Sequence, residues 1–167
     1  MSDPANHLAE LIFLSNSEAE TDRLAEAFAK MLKPGDVVAL EGTLGAGKTR
    51  LVRGLAAALH ADISFVSSPT FGLVQHYEGD LPLVHIDAYR LSGDDEFDQM
   101  GGPELFEAES VTLIEWSERI ASSLPRERWI VAARHVDETT REYRAASTHR
   151  NGKERIERLA EAVEHAS

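Results

Sequence analysis

With 167 residues and no cysteine, the chain has the length of one domain, and it can form no disulfide, thiolate nucleophile or cysteine-built zinc site. Its 29 acidic residues against 17 lysines and arginines give a formal net charge of -12, so any role with a nucleic acid calls for a basic partner or a small local patch. The opening MSDPANHLAELIFLSN has no basic flank before its short apolar run, and no apolar run approaches the roughly 20 residues of a membrane helix, so a cytoplasmic protein with no membrane partner is expected.

In chain order, a first short strand is expected at residues 12–14, followed by a turn and helix start at 15–20. Residues 19–31 carry apolar side chains at helical spacing. Lys33-Pro-Gly-Asp36 is a turn, Val37–Glu41 a short apolar strand, and residues 48–59 a helix. Ser67-Ser-Pro-Thr70 precedes a strand at 71–77, a turn at 78–82 and a second apolar strand, Leu83–Asp87. The acidic segment 92–109, with Gly101-Gly-Pro103, reads as a surface loop with helical portions. Val111–Glu115 is a further buried strand, and a helix follows over 117–124. Residues 129–136 and 140–147 alternate in hydropathy around a turn and form a hairpin, and 153–165 is a charged closing helix. The pattern predicts one α/β domain spanning residues 1–167, a P-loop NTPase domain with a central mixed β-sheet flanked by helices and ligands at the strand ends.

The chemistry concentrates in GTLGAGKT, Gly42 to Thr49, which fits G-x-x-x-x-G-K-[ST] between a strand and a helix. A flexible turn before a helix can contain GKT by chance, but the flanking elements and a third glycine, Gly45, favour a phosphate cradle. Glycines let backbone N–H groups close around phosphate oxygens, and the helix beginning near Lys48 adds its positive end. The expected nucleotide contacts are Gly42, Leu44, Gly45, Ala46, Gly47, Lys48, Thr49 and Arg50. Lys48 would reach between the β- and γ-phosphates, and the Thr49 hydroxyl would bind Mg²⁺.

A Mg²⁺·ATP site also needs a carboxylate at a neighbouring strand end and a group that orients water. Asp87 ends Leu83-Val-His-Ile-Asp and Glu115 ends Val111-Thr-Leu-Ile-Glu. Either alone would be an ordinary solvating strand end. Downstream of an intact phosphate loop both become candidates for catalysis and, with Thr49, for the metal. Thr70 could sense the γ-phosphate, although a plain Ser/Pro turn has the same composition. His85 reads as a packed or partly exposed strand residue, and Trp116 as a packing residue beside Glu115 and near the nucleotide. Arg90 and Arg119 could pair with carboxylates or approach phosphate. The N-K-x-D guanine reader does not occur, which favours ATP over GTP.

Taken together, GTLGAGKTRLVRGLA (Gly42 to Ala56), SPTF (Ser68 to Phe71), HIDAYRL (His85 to Leu91) and IEWSER (Ile114 to Arg119) resemble, in order and spacing, the TsaE family. These are small bacterial P-loop ATPases needed for threonylcarbamoyladenosine in tRNA, and the resemblance runs from about Phe13 to the hairpin. It implies ATP and Mg²⁺ at Lys48 and Thr49, Asp87 as the metal-associated aspartate, and Glu115 as the hydrolytic glutamate of the EW motif. Thr70 would lie in a switch-like segment. It also implies partners, the TsaD transferase and its TsaB companion, which attach the threonylcarbamoyl group to the adenosine 3′ of the anticodon. The ATPase would be weak alone and would reset or activate that complex, with the tRNA contacted mainly through it. Thr43 departs from the acidic or amide residue many members carry there. The acidic stretch from Asp94 to Asp98 is a second departure.

Other classes remain open on the residues alone. A small-molecule or nucleotide kinase uses the same loop but needs an acceptor pocket and often an arginine-bearing lid, which the scattered arginines do not supply. A binding module would hold ATP without hydrolysis. An NTPase acting on DNA is disfavoured by the charge.

Overall fold

The computed structural model describes residues 8–62, 64, 74–107 and 109–166. A seven-stranded sheet, in the order β1-β7-β6-β2-β5-β4-β3, runs through the molecule. Its strands are β1 (Glu10–Ser15), β2 (Val37–Glu41), β3 (Val74–Tyr77), β4 (Leu83–Asp87), β5 (Val111–Glu115), β6 (Trp129–His135) and β7 (Arg141–Ser147). The helices are α1 (Glu18–Ala29), α2 (Lys48–Ala58), α3 (Asp94–Gln99) and α4 (Gly152–His165). The four central strands β6, β2, β5 and β4 are parallel neighbours, and antiparallel strands close both edges. This is the mixed sheet expected from sequence.

The fully apolar strands are the ones buried on both faces. Val37 to Leu40 and all of β5 have no exposed position, which explains why they read as continuous apolar runs. One face packs against α1, α2 and α4 through Leu24, Phe28, Leu51, Leu55, Trp129 and Leu159. The other packs Val37, Val84, Ile86 and Ile114 against Leu91, Phe97 and Ile120. The segment expected as an acidic surface loop is therefore anchored. Phe97 of α3 is fully buried, and Gly102 in the following 3-10 turn (Gly102–Glu107) lies so close to its ring that a Cβ would collide with it.

The helix expected over 117–124 is instead a 3-10 segment, Ser117–Ser123, broken at Ile120 (φ -127°, ψ 34°). Its end is tied from outside, because Asp94 accepts hydrogen bonds of 2.8 Å from both the N–H and the hydroxyl of Ser123. Helix α1 starts where its sequence directs. Ser17 caps it by accepting from the Glu20 N–H, and the Glu20 carboxylate reaches back to the Asn16 N–H. The strand expected at 71–77 is described only from Val74, so its first residues and the Ser67 to Thr70 turn fall outside the described residues.

Candidate functional site

β2 ends at Glu41 between β5 and β6, and the chain passes directly into the glycine loop and α2. Two glycines are demanded by crowding as well as by backbone. Gly42 (φ +137°) would drive a Cβ into the Ala133 carbonyl of β6, and Gly47 (φ +112°) would put one 2.5 Å from the Tyr143 hydroxyl of β7. Gly45 (φ +77°) faces open space and needs glycine for its dihedral alone. The hairpin thus forms one wall of the loop, and Tyr143 donates to the Gly47 carbonyl at 3.1 Å. A cavity of about 170 Å³ opens between Leu44 to Thr49 on one side and Glu115 and Trp116 on the other.

Inside it, Lys48 is only 4% exposed. Its ammonium donates to the carbonyls of Gly42 and, at 3.1 Å, Thr43, and sits 3.9 Å from the centre of the Trp116 ring. Burial pushes the Lys48 pKa down from its ordinary value, opposed by the charges of Glu115, Glu118 and Asp87. Trp116 takes the left-handed conformation (φ 57°, ψ 40°) that turns its side chain back from the end of β5. Its ring packs on Tyr89 at 4.9 Å, and the Arg119 guanidinium lies 5.2 Å over Tyr89.

The two strand-end carboxylates singled out in the sequence lie on neighbouring strands. Asp87 and Glu115 are register partners on adjacent parallel strands, both buried. Glu115 Oε1 accepts the Thr49 hydroxyl at 2.7 Å, and Asp87 Oδ1 accepts the Tyr89 N–H at 2.9 Å. Among the described residues no group of three or more His, Asp or Glu side chains could hold a metal ion unaided. Two adjacent buried carboxylates and a hydroxyl beside a phosphate loop nevertheless suit Mg²⁺, which is held by one or two carboxylates together with substrate phosphates and water. Thr49, Asp87 and Glu115 therefore fit the ion.

Arg50 lies in the first turn of α2, but its guanidinium turns to α1, 2.8 Å from Asp22 and 3.7 Å from Glu18. Thr70 lies outside the described residues. His85 is not partly exposed: it is fully buried, and its Nε2 lies 2.6 Å from Glu115 Oε2. Sequence reasoning also missed a second cavity of about 370 Å³, lined by Ser15, Asn16, Thr21, Arg50, Thr139, Arg141 and Tyr143. It adjoins the loop across the Gly47–Tyr143 contact. Its walls come from the end of β1, the first turns of α1 and α2 and the hairpin, elements far apart in sequence that the β1–β7 pairing helps bring together.

A glycine loop between a parallel strand and a helix, a buried lysine within it and carboxylates at the neighbouring strand ends define a P-loop nucleotide-binding protein. The model of the family "Threonylcarbamoyl adenosine biosynthesis protein TsaE" matches residues 15–143. The chain is 41% identical over 124 residues to the tRNA threonylcarbamoyladenosine biosynthesis protein TsaE of Bacillus subtilis, covering 74% of this chain and 77% of that one. It is 38% identical over 133 residues to the Treponema pallidum protein of the same name, covering 80% and 98%. The crystal structure of Bacillus subtilis YdiB superimposes with a TM-score of 0.75 at 31% identity, covering 94% of this chain and 98% of that one. The chain belongs to the TsaE family, the P-loop proteins of tRNA threonylcarbamoyladenosine biosynthesis.

Proposed function

We propose that this protein is the Mg²⁺-dependent ATPase that serves the TsaB–TsaD pair in forming threonylcarbamoyladenosine beside the tRNA anticodon. Family membership carries the accessory, ATP-binding role. The observation that supports hydrolysis is the 2.7 Å bond from Thr49 to Glu115, which ties the hydroxyl of the phosphate loop to the carboxylate of the EW motif across 66 positions of sequence.

In this reading the N–H groups of Gly45, Ala46, Gly47, Lys48 and Thr49 receive the phosphates. Lys48 exchanges its loop carbonyls for phosphate oxygens, a favourable trade for a buried ammonium without a salt-bridge partner among the described residues. Thr49, Asp87 and Glu115 would hold Mg²⁺, which when bound neutralises charge on the phosphate oxygens. Glu115 accepts hydrogen bonds and orients the attacking water. Trp116 covers Lys48, and the polar cavity beyond Tyr143 takes the nucleoside end. Its neighbouring Arg50 is fixed by α1 and shapes that wall.

The test is ATP hydrolysis with Mg²⁺ by the purified chain, alone and with its TsaB and TsaD. Stimulation by the pair, with Lys48→Ala losing nucleotide affinity and Glu115→Ala keeping it but slowing turnover by roughly 10²-fold or more, is the expected result. Turnover only on addition of a small phosphate acceptor would make the chain a kinase. Full partner-stimulated turnover by Glu115→Ala would remove that residue from the mechanism.

A further inference from the structure

His85 is the middle residue of β4, on the same face of the sheet as Asp87 and two positions before it, one step diagonally from Glu115 across the parallel β4–β5 ladder. The 2.6 Å contact between His85 Nε2 and Glu115 Oε2 needs one proton between them, and a carboxylate acting as acceptor takes it from Nε2–H. The other ring nitrogen, Nδ1, is buried with no hydrogen-bond partner among the described residues. An imidazole so placed gives up hydration at one nitrogen without return. The neighbouring inward positions of β4 and β5, Leu83 and Leu113, are apolar. The histidine's side-chain hydrogen bond among the described residues is the one to Glu115, with the Tyr77 ring 6.5 Å from its own.

That bond has a geometric consequence. A glutamate side chain has three torsions, and fixing it costs rotamer freedom. Here one oxygen is held from below by His85 at 2.6 Å and the other from above by Thr49 at 2.7 Å. When the Thr49 hydroxyl turns to a metal ion, the His85 bond still holds the far oxygen of the carboxylate and so keeps the near one facing the loop. We propose that His85 is a positioning residue for hydrolysis: its Nε2–H clamps Glu115 Oε2 and leaves Oε1 aimed at Thr49 and the phosphate loop. His85 is fully buried behind Glu115, so its role would be exerted through that carboxylate. The proposal rests on the ATPase reading above.

The test compares the unaltered chain, His85→Phe and His85→Gln in partner-stimulated ATP hydrolysis. Phenylalanine keeps the volume and loses the donor, so kcat falls roughly 10–100-fold while KM stays within about twofold. Glutamine sets an amide N–H near the place of Nε2 and restores kcat to within about fivefold of the unaltered chain. A merely packed histidine predicts the reverse order, with phenylalanine the better substitute. A Phe variant within twofold of the unaltered rate, or a folded Gln variant no better than Phe, overturns the proposal.

A second readout needs neither turnover nor a folded Phe variant. The ¹⁵N-resolved ring signals of the nucleotide-free protein should show the His85 proton on Nε2, shifted downfield and displaced in Glu115→Ala. A proton on Nδ1 alone overturns the clamp whatever the kinetics give. No hydrolysis by the unaltered chain, with or without TsaB and TsaD, instead removes the ATPase reading, and the unaltered chain's own rate tells the two failures apart.

Discussion

Burial acts in opposite senses on two charges at the mouth of the phosphate loop. It lowers the Lys48 pKa from its ordinary 10.5, and it raises that of Glu41, with Glu118 adding repulsion and Arg128 opposing. Both groups are therefore less stable in their charged forms than they would be in water. For Glu41 the sign follows directly. Its folded pKa lies above the ordinary 4.5, so the native state binds the proton more tightly, and stability falls as pH rises from 4.5 through the raised value. Glu41→Gln should raise the melting temperature at neutral pH, with the gain shrinking to nothing once the pH drops below 4.5. A gain that persists in acid would refute this account. At this scale the loop, Asp87 and Glu115 were legible because their chemistry is written as strand-end motifs. The place of His85 was not, since a histidine in an apolar strand says nothing of which diagonal neighbour it meets. Nor was that of Arg50, whose motif position points to the nucleotide while its side chain pairs with α1.

Among the elements, the β6–β7 hairpin does more than close the sheet. Ala133 lies against Gly42 and Tyr143 against Gly47, so both ends of the glycine loop rest on it. Burial pushes the Tyr143 phenol above its ordinary 10.0, which keeps it a donor to the Gly47 carbonyl. Tyr143→Phe removes that bond at a cost of about 1 kcal/mol. The nucleotide KM should rise about fivefold with kcat nearly unchanged, and equal KM values in the two proteins would show that the hairpin does not brace the loop. The sequence showed the hairpin plainly through its alternation, yet not its task, because nothing local marks which side chain touches a loop nearly a hundred residues earlier. The 3-10 segment after Trp116 departs from the expected helix for a related reason. Its end is fixed by Asp94 from another element, and tertiary ties of that kind override local propensity.

At the level of the whole molecule, charge sets what the protein can hold alone. A formal charge of -12 gives no counterion release on meeting RNA. The isolated chain should bind tRNA no more tightly than about 10⁻⁴ M at physiological salt, the weak end of non-specific association. Binding in a gel-shift assay at micromolar concentration would mean that a local basic patch overrides the net charge. Among the described residues no helix is long and apolar enough to cross a membrane.

The position of β2 bears on how the protein comes into being. The strand that delivers the phosphate loop pairs with Thr112 to Glu115 on one side and Trp129 to Ala132 on the other. Both partners leave the ribosome long after it does. Closing such distant pairings is entropically slow, which places folding in the slower part of the range for domains of mixed topology. A nascent chain stopped before the hairpin would carry every residue of the GKT motif and no loop able to hold phosphate, so ATP is a ligand of the finished sheet and should shield only the full-length chain from proteolysis.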